Sequence, residues 1–324
     1  MIDNHSLPEE EPVSLAWQRF VEFLLGLLLL AGSLFMVHHY LPQPANNLND
    51  QVHQLSQQLD QLRQEQSMPV TVLNRYRDSI CFVFGVYQVG FPNQRPSLRA
   101  RISGTGFVVT EGLLATNRHV AEPWYGDTEA EGLIRQGAKP ELQRLVAFFP
   151  GFSTPVVVTP AALSVQGDLA ILKVHDSQAV NRLRPLPLAE QPSDPGELVA
   201  VVGYPMGVLG MVAKSPAPVY ERLAYRRDDI GAANELAALS LIRPSATCGH
   251  LGDVVGDKLI YDATTAHGAS GGPVFNSRGQ VIGVNAAYID GFSGGTLGVS
   301  VSALRPLILA AQRKSMIKNA SSKD

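Results

Sequence analysis

The sequence predicts an all-β body that follows an N-terminal helical segment. From Ile80 onward the chain reads as short β-rich segments, such as ICFVFGVYQV, GLLATNRHV and DLAILKV. Gly, Pro, Asn or Asp separates most of them, in a chain with 29 glycines and 22 prolines. Many short strands with turn residues between them predict a β-sandwich or β-barrels.

The composition limits the class of protein. The chain has 324 residues, 45% of them hydrophobic, which suffices for one domain of about 200–250 residues plus extensions. A formal net charge of −3 shows no basic excess, so we expect no nucleic acid partner. Cys81 and Cys248 belong to no zinc-type spacing, so we expect no metal. They are either two core thiols or, outside the cytoplasm, one disulfide.

An apolar stretch near the N-terminus predicts a membrane anchor over residues 20–40. Its core FVEFLLGLLLLAGSLFMV has the length that spans a bilayer, and Trp17 and Tyr40 flank it as interfacial aromatics. A cleaved signal peptide is the alternative, but such peptides start with a basic region, and here only Arg19 is basic. That arginine favours a cytoplasmic tail over residues 1–19 and a body outside the cytoplasm.

A Gln-rich helical segment follows the anchor, and we assign the linker and stalk to residues 41–68. Its apolar residues alternate at spacings of four and three, as in a coiled coil: Leu48, Val52, Leu55, Leu59 and Leu62. The stretch is either a solvated spacer or a short coiled coil that makes the chain a homo-oligomer through residues 48–62. Met68-Pro69 predicts its end, so the body covers 69–313 and a polar tail covers 314–324.

Three helical patterns lie in the body: Thr128–Gln136, Arg227–Ala238 and Ala303–Arg313. We interpret the first two as insertions in surface loops.

Three polar residues of the body have the types that nucleophilic catalysis needs. A serine hydroxyl requires an adjacent base, usually a histidine that a carboxylate orients. Ser270 lies among glycines in HGASGGP, His119 follows an apolar strand in ATNRHVAE, and Asp168 precedes one in GDLAILKV. Each taken alone also fits a structural role, as a tight turn, a core histidine or a turn-capping aspartate.

Together with their flanking motifs, these residues resemble the trypsin-like (chymotrypsin-fold) serine peptidases, most closely the HtrA/Deg branch. The matching motifs, in the family's order over about Cys81 to Leu304, are SGTGFVVT, LLATNRHV, GDLAILKV, VAVVGYPMG, GASGGPVFN and GQVIGVNAA. The resemblance implies an all-β fold of two six-stranded antiparallel β-barrels with the active site in the cleft between them.

The resemblance also implies roles for single residues. Ser270 would be the nucleophile, His119 the general base and then the acid, and Asp168 the group that orients the imidazole. The backbone N–H groups of Gly268 and Ser270 would form the oxyanion hole.

The resemblance places the primary substrate pocket at Thr264, Thr265, Asn285, Ala286 and Gly298–Ser300. No acid lies at the pocket floor, so we expect a small or medium apolar P1 side chain instead of Lys or Arg. The segment Ala213–Val255 is long for a connection between barrel strands. It is either a plain surface insertion or a segment that covers the cleft or binds a partner.

Three departures from the family pattern matter. His267 precedes the oxyanion glycine and either contacts substrate or merely caps the loop. Ala269 stands where HtrA members usually carry Asn and digestive relatives carry Asp, so we expect no digestive-type zymogen activation. Only a short helix and a polar tail follow the second barrel, so we expect no PDZ domain in this chain.

The sequence therefore predicts a membrane-anchored serine endopeptidase without metal or organic cofactor, acting through an acyl-enzyme. Its body would lie in the periplasm, on the inner membrane, and would cleave protein or peptide substrates in quality control or regulated proteolysis. The alternative is a catalytically silent, anchored binding scaffold with a peptidase fold, because Ala269 and His267 leave room for a non-productive loop.

Overall fold

The computed structural model describes residues 15–40, 44–288 and 295–321. Most of the predicted cytoplasmic tail, the start of the predicted linker and the end of the predicted polar tail lie outside these ranges. The chain divides into two compact units, residues 1–62 and 63–324. Each unit is described by itself.

The first unit contains one long apolar helix. Helix α1 covers Leu15–Tyr40, and its stretch Trp17–His39 has a mean hydropathy of 2.3 over a length that can cross a membrane. At 1.5 Å per residue, 26 residues reach about 39 Å, which exceeds the hydrocarbon core of about 30 Å. The side chains from Trp17 to His39 are exposed.

Helix α2 covers Pro44–Tyr76 and crosses the boundary between the units. Proline is well suited to the first turn of a helix, because the N–H that it lacks would have no partner there. In the first unit the apolar seam of α2 is exposed, with every seam side chain at least 52% accessible. These side chains are Leu48, Val52, Leu55, Leu59 and Leu62.

The prediction that α2 ends at Met68-Pro69 is wrong. The helix continues through Pro69 to Tyr76, although proline removes one backbone donor from a helix. Packing in the second unit compensates for this loss. Met68 and Val72 are buried in the main hydrophobic core, and the Tyr76 ring stacks on Phe275 at 5.3 Å between centroids.

The second unit contains two closed six-stranded barrels whose strand pairs are all antiparallel, and this confirms the fold that the sequence predicts. The first barrel has the order β1-β2-β3-β6-β5-β4. Its strands are β1 Ile80–Gly90, β2 Leu98–Thr110, β3 Leu113–Thr116, β4 Lys139–Phe148, β5 Val156–Leu163 and β6 Ala170–Val174.

The second barrel has the order β10-β11-β12-β9-β8-β7. Its strands are β7 Leu198–Gly203, β8 Ser245–Val255, β9 Lys258–Tyr261, β10 Pro273–Asn276, β11 Val281–Tyr288 and β12 Thr296–Ser300.

Strand β1 is apolar on both faces because each face packs against a different core. Successive side chains of a strand point to opposite sides. Cys81 and Val83 belong to the core of the first barrel. Phe82 and Phe84 belong to the main core, which also holds Tyr204 of the second half. The Phe82 and Tyr204 rings lie 5.7 Å apart, so β1 joins the two barrels.

Short helices occupy the connections, and one longer helix follows the second barrel. They are α3 Arg118–Ala121, α4 Thr128–Arg135, α5 Ser177–Arg182, α6 Gly207–Ala213, α7 Ala217–Leu223, α8 Asp229–Ala238 and α9 Val301–Ser321. Helices α4 and α8 lie where the sequence predicts them. Helix α9 runs eight residues beyond the predicted stretch and into the predicted polar tail.

The interpretation of α8 as an insertion in a surface loop is wrong. Ala233 and Leu236 of α8 are fully buried and belong to the main core, together with Met211 of α6 and Leu223 of α7. Helices α6 to α8 therefore form a folded part of the body. Its small alanine side chains allow α8 to pack closely on its neighbours.

The two cysteines are free and differ in environment. Cys81 is fully buried in β1, and burial raises the pKa of its thiol. Cys248 is exposed on β8. The structure therefore contains neither the disulfide nor a pair of core thiols.

We predict that Leu236→Ala lowers the free energy of unfolding by about 2–5 kcal/mol, because it empties a fully buried site. Leu239→Ala is the matched control. This leucine is 45% exposed one turn away, and its loss should change stability by about 0.5 kcal/mol or less. Urea unfolding of the full chain in mild detergent, followed by tryptophan fluorescence, measures both. Equal effects would contradict the buried role of α8.

Candidate active site

The end of strand β3 brings His119 to the cleft between the barrels. All four residues of β3 are buried, so the strand holds the following turn rigidly. The Nδ1 atom of His119 lies 2.7 Å from Oδ2 of Asp168. The backbone N–H of His119 donates to the other carboxylate oxygen, Oδ1, at 3.0 Å. One carboxylate therefore binds both the ring and the backbone of the histidine.

Asp168 reaches this position because β6 pairs with β3, with Ala170 opposite Thr116. The residues just before β6 therefore lie next to those just after β3. The Asn117 amide donates from Nδ2 to the carbonyl oxygen of Asp168 at 2.7 Å. The Arg118 guanidinium donates to the carbonyl of Ser164 at 2.9 Å. These bonds hold the loop before β6 against the histidine turn.

This geometry determines which nitrogen of His119 can act as a base. An ionised carboxylate only accepts hydrogen bonds. Nδ1 of His119 must therefore carry the hydrogen that Asp168 accepts. The lone pair of a neutral imidazole is then on Nε2, the nitrogen that remains for proton transfer.

Ser270 lines the same cavity as His119, a space of about 470 Å³. Within the described part of the chain, its hydroxyl donates to the carbonyl of Ala286 at 3.0 Å. The structure thus brings serine and histidine into one cavity without a hydrogen bond between them. Contacts of this kind often form only when substrate binds.

Thr105 of β2 holds the loop around Ser270 from the side of the first barrel. Its hydroxyl donates to the carbonyl of Gly268 at 2.7 Å, and its N–H donates to the carbonyl of Ser270 at 2.7 Å. The same hydroxyl accepts from the N–H of Tyr204 at 3.1 Å. Thr105 is fully buried, so water does not compete for these bonds.

Asn285 of β11 holds the same loop from the side of the second barrel. Its backbone exchanges 2.8 Å hydrogen bonds with Gly271 and Gly272. Its side chain donates to the carbonyl of Ala269 at 3.0 Å and accepts from the hydroxyl of Tyr261 at 2.7 Å. Asn285 is only 1% exposed, and the polar atoms of its side chain are bonded within the protein.

Gly268 has a backbone conformation that favours glycine. Its φ is +90°, and a Cβ there would lie 2.5 Å from the carbonyl oxygen of Tyr204. Among the residues that the structure describes, none accepts a hydrogen bond from the N–H of Gly268 or of Ser270. The backbone N–H groups of Gly268 and Ser270, which lie two residues apart in the chain, are thus available as hydrogen-bond donors.

The residues predicted to bind substrate separate into groups. Thr265, His267, Asn285 and Ala286 line the 470 Å³ cavity together with His119 and Ser270. Thr264 is outside this set, and its carbonyl accepts from the Thr247 hydroxyl at 2.8 Å. Gly298 and Val299 line a second, larger cavity of about 770 Å³, which shares Ala286 with the first and also includes Asp168.

Sequence reasoning missed three residues that support the site: Thr105, Tyr204 and Tyr261. The sequence does indicate Thr105, since it is a polar residue between two glycines in the apolar stretch SGTGFVV. The sequence does not indicate the two tyrosines, because the strand pattern does not distinguish a buried tyrosine hydroxyl from an exposed one. Burial raises the pKa of both tyrosine hydroxyls well above the usual value, which keeps them neutral.

Comparison with known proteins agrees with the double-barrel fold and with a serine peptidase. A family model described as a trypsin-like peptidase domain matches residues 104–284, just over half of the chain. A probable periplasmic serine endoprotease DegP-like of Rhizobium meliloti is 28% identical over 210 residues, which cover 64% of this chain and 32% of that protein. Its counterpart in Chlamydia pneumoniae is 30% identical over 217 residues, with coverages of 65% and 34%.

The chain spans about a third of the length of these curated relatives. Among solved structures, the active form of the Rv3671c protease from M. tuberculosis superposes with a TM-score of 0.51 at 17% identity. The match covers 76% of this chain and 86% of that one, and it supports the double-barrel fold. The family match, the DegP-like relatives and the two closed barrels agree, so this chain belongs to the trypsin-like peptidase family.

Proposed function

We propose that this chain is a serine endopeptidase that hydrolyses protein substrates through an acyl-enzyme on Ser270. The observation that carries the proposal is the double contact of the Asp168 carboxylate with His119, at 2.7 Å to Nδ1 and 3.0 Å to the backbone N–H. It fixes the imidazole with Nε2 as the base in the cavity that holds Ser270. The proposed reaction requires neither a metal nor an organic cofactor.

In the proposed first step, Ser270 Oγ gives up its hydrogen bond to Ala286 and turns toward Nε2 of His119. Breaking one such bond costs on the order of 1 kcal/mol. Oγ then attacks the carbonyl carbon of the scissile peptide, and its proton moves to Nε2. The Asp168 carboxylate stabilises the resulting imidazolium. The carbonyl oxygen becomes an oxyanion and accepts hydrogen bonds from the amides of Gly268 and Ser270.

In the second step, the imidazolium donates its proton to the leaving nitrogen as the carbon–nitrogen bond breaks. The acyl group then remains as an ester on Ser270. Water repeats the sequence, with His119 taking its proton, and releases the carboxylic acid.

The substrate would lie along the cleft, with its P1 side chain beside Thr265, His267 and Ala286. Among the described residues, none that lines the 470 Å³ cavity there is acidic, which supports an apolar P1 residue and argues against Lys or Arg. The 770 Å³ cavity is lined by apolar side chains that include Leu163, Val165 and Leu297. Because it shares Ala286 with the first cavity, it offers space for a further apolar side chain of the same substrate.

We also propose that α1 anchors the chain in a membrane, with the body in the periplasm. The length and hydropathy of α1 support the anchor, and Arg19 supports the orientation. The two DegP-like relatives are described as probable periplasmic endoproteases, which supports the location of the body. The exposed seam of α2 supports self-association through residues 48–62. A role in quality control or regulated proteolysis would follow from an anchored peptidase that acts on proteins.

One observation favours a second candidate, a catalytically silent anchored scaffold. The Ser270 hydroxyl is bonded to Ala286 and not to His119. A scaffold would keep the hydrogen bond from Ser270 to Ala286 in the presence of substrate. A peptidase would replace it with a hydrogen bond from Ser270 to His119.

We predict that Ser270→Ala abolishes both labelling by a fluorophosphonate and cleavage of an unfolded protein. The full-length chain in mild detergent is used, and the parent should show both activities. Ser277→Ala is the control, because Ser277 is an exposed serine in the β10–β11 turn. A folded parent that neither labels nor cleaves would favour the scaffold.

We predict that Asp168→Asn lowers kcat by about 10⁴, because the amide no longer holds the imidazole in the correct tautomer. Asp253→Asn is the control, since Asp253 is exposed and its one bond within the described part of the chain comes from the neighbouring Val254 N–H. Steady-state peptide hydrolysis measures both variants. A loss of tenfold or less in Asp168→Asn would contradict the orienting role.

We predict that the double substitution Leu55→Glu and Leu59→Glu converts an oligomer of the parent into monomers. Burying charged glutamates in the apolar seam of a coiled coil is unfavourable. Gln57→Glu with Gln61→Glu adds the same charge on the opposite face and should leave the oligomer intact. Sedimentation in density-matched detergent gives the masses. A parent that is already monomeric would support the solvated spacer instead.

A further inference from the structure

The carbonyl of His267 has a partner that bears on the oxyanion hole. The backbone N–H of Met206 donates to this carbonyl at 2.6 Å. The same peptide unit carries the N–H of Gly268. In a trans peptide the C=O and N–H bonds point in opposite directions, and the described chain contains no cis peptide. The group that holds the carbonyl therefore decides where the Gly268 N–H points.

We propose that Met206 is a positioning residue, whose backbone N–H holds the His267–Gly268 peptide so that the Gly268 N–H faces the catalytic cavity. The inference rests on the proposed function, since it explains how one donor of the oxyanion hole is oriented. It concerns the backbone of Met206 and not its side chain.

The conformation of Met206 supports this assignment. Its φ of 60° and ψ of 11° lie in the left-handed region, which is unfavourable for a residue other than glycine. The side chain is 58% exposed, so its own packing does not repay that cost. The N–H of Gly207 closes a turn onto the carbonyl of Tyr204 at 2.9 Å. Met206 is the third residue of this turn, where positive φ is required in type II.

The turn is held firmly on both sides. On one side the Tyr204 N–H donates to Thr105, and the buried Tyr204 hydroxyl donates to the carbonyl of Ile80 at 3.0 Å. On the other side helix α6 begins at Gly207, and its Met211 is buried in the main core. The Met206 N–H is thus a donor in a rigid position.

The peptide that it holds is the less constrained partner. Gly268 has few steric barriers to rotation of its flanking peptides. Without the Met206 donor, the His267–Gly268 peptide could rotate and turn its N–H out of the cavity. Loss of one oxyanion donor typically costs about 10²–10³ in kcat. KM should change little, because that donor acts mainly on the charge of the transition state.

The decisive variant removes one N–H and keeps the methionine side chain. Nonsense suppression with the α-hydroxy analogue of methionine replaces the 205–206 amide of the full-length chain by an ester. We expect kcat to fall by about 10²–10³ with KM within a few-fold of the parent. The control is the same kind of ester at Leu239, whose N–H donates to the carbonyl of Glu235 at 3.0 Å in α8. Leu239 lies outside the lining of the catalytic cavity, so this variant should retain parental activity.

A second readout observes the peptide directly. His267-Gly268 is the one His-Gly pair in the sequence, so ¹³C-carbonyl histidine with ¹⁵N-glycine yields a single carbonyl-to-amide NMR correlation. A peptide boronate that adds to Ser270 places an oxygen in the oxyanion hole. The Gly268 amide signal should then shift strongly in the parent and in the Leu239 ester control, and should shift little in the Met206 ester variant.

A Met206 ester variant with parental kcat and a parental Gly268 shift would overturn the proposal. A fall in kcat with an equally large rise in KM and a reduced folded fraction would also overturn it, since the turn would then have only a structural role. A parent without peptidase activity would refute the proposed function separately. In that case the Gly268 signal of the uninhibited parent and Met206 ester variant still tests the peptide orientation, and identical signals would overturn it.

Discussion

The two hydrogen bonds from Thr105 to the loop around Ser270 join the halves of the candidate site. His119 and Asp168 come from the first barrel, whereas Ser270 lies between strands of the second. The Thr105 hydroxyl and N–H cross this boundary to the carbonyls of Gly268 and Ser270, each at 2.7 Å. Leaving such buried carbonyls unpaired would cost about 1–3 kcal/mol each. The junction therefore holds the serine at the edge of the histidine's cavity.

The loop around Ser270 has little freedom because its backbone is bonded from several directions. Thr105 and Asn285 bind its carbonyls and amides from opposite sides, and the Tyr261 hydroxyl fixes the Asn285 side chain. Pairing the loop's polar groups in this way leaves the amides of Gly268 and Ser270 without a described partner. Donors that are already oriented toward a developing charge stabilise it without reorganisation.

Packing around the barrels extends this rigidity outward. The last turns of α2 bury Met68 and Val72 in the main core, and α6 to α8 bury Met211, Leu223 and Leu236 there as well. The turn at Met206 connects these helices to the loop beside Ser270. The end of α2 and the segment that reads as a surface insertion therefore belong to the structure that supports the site.

The sequence by itself determined the strand pattern of the body, the apolar helix and the motifs around His119, Asp168 and Ser270. These features depend on local alternation, turn residues and residue type, which a linear chain displays. Helix α8 was also visible, although its burial was not. A short run of alanines fits a surface helix and a core helix equally well until its neighbours are known.

Only the tertiary structure decided the remaining features, because each depends on contacts between distant residues. Pro69 stays within a helix since Met68 and Val72 find a core to pack against. Asn285, which lines the 470 Å³ cavity, has its side chain bonded to Ala269 and Tyr261. The hydroxyl of Ser270 bonds to Ala286, 16 residues away. Local patterns carry no information on such pairings, because hydrogen-bond partners are chosen by the packing of the two barrels.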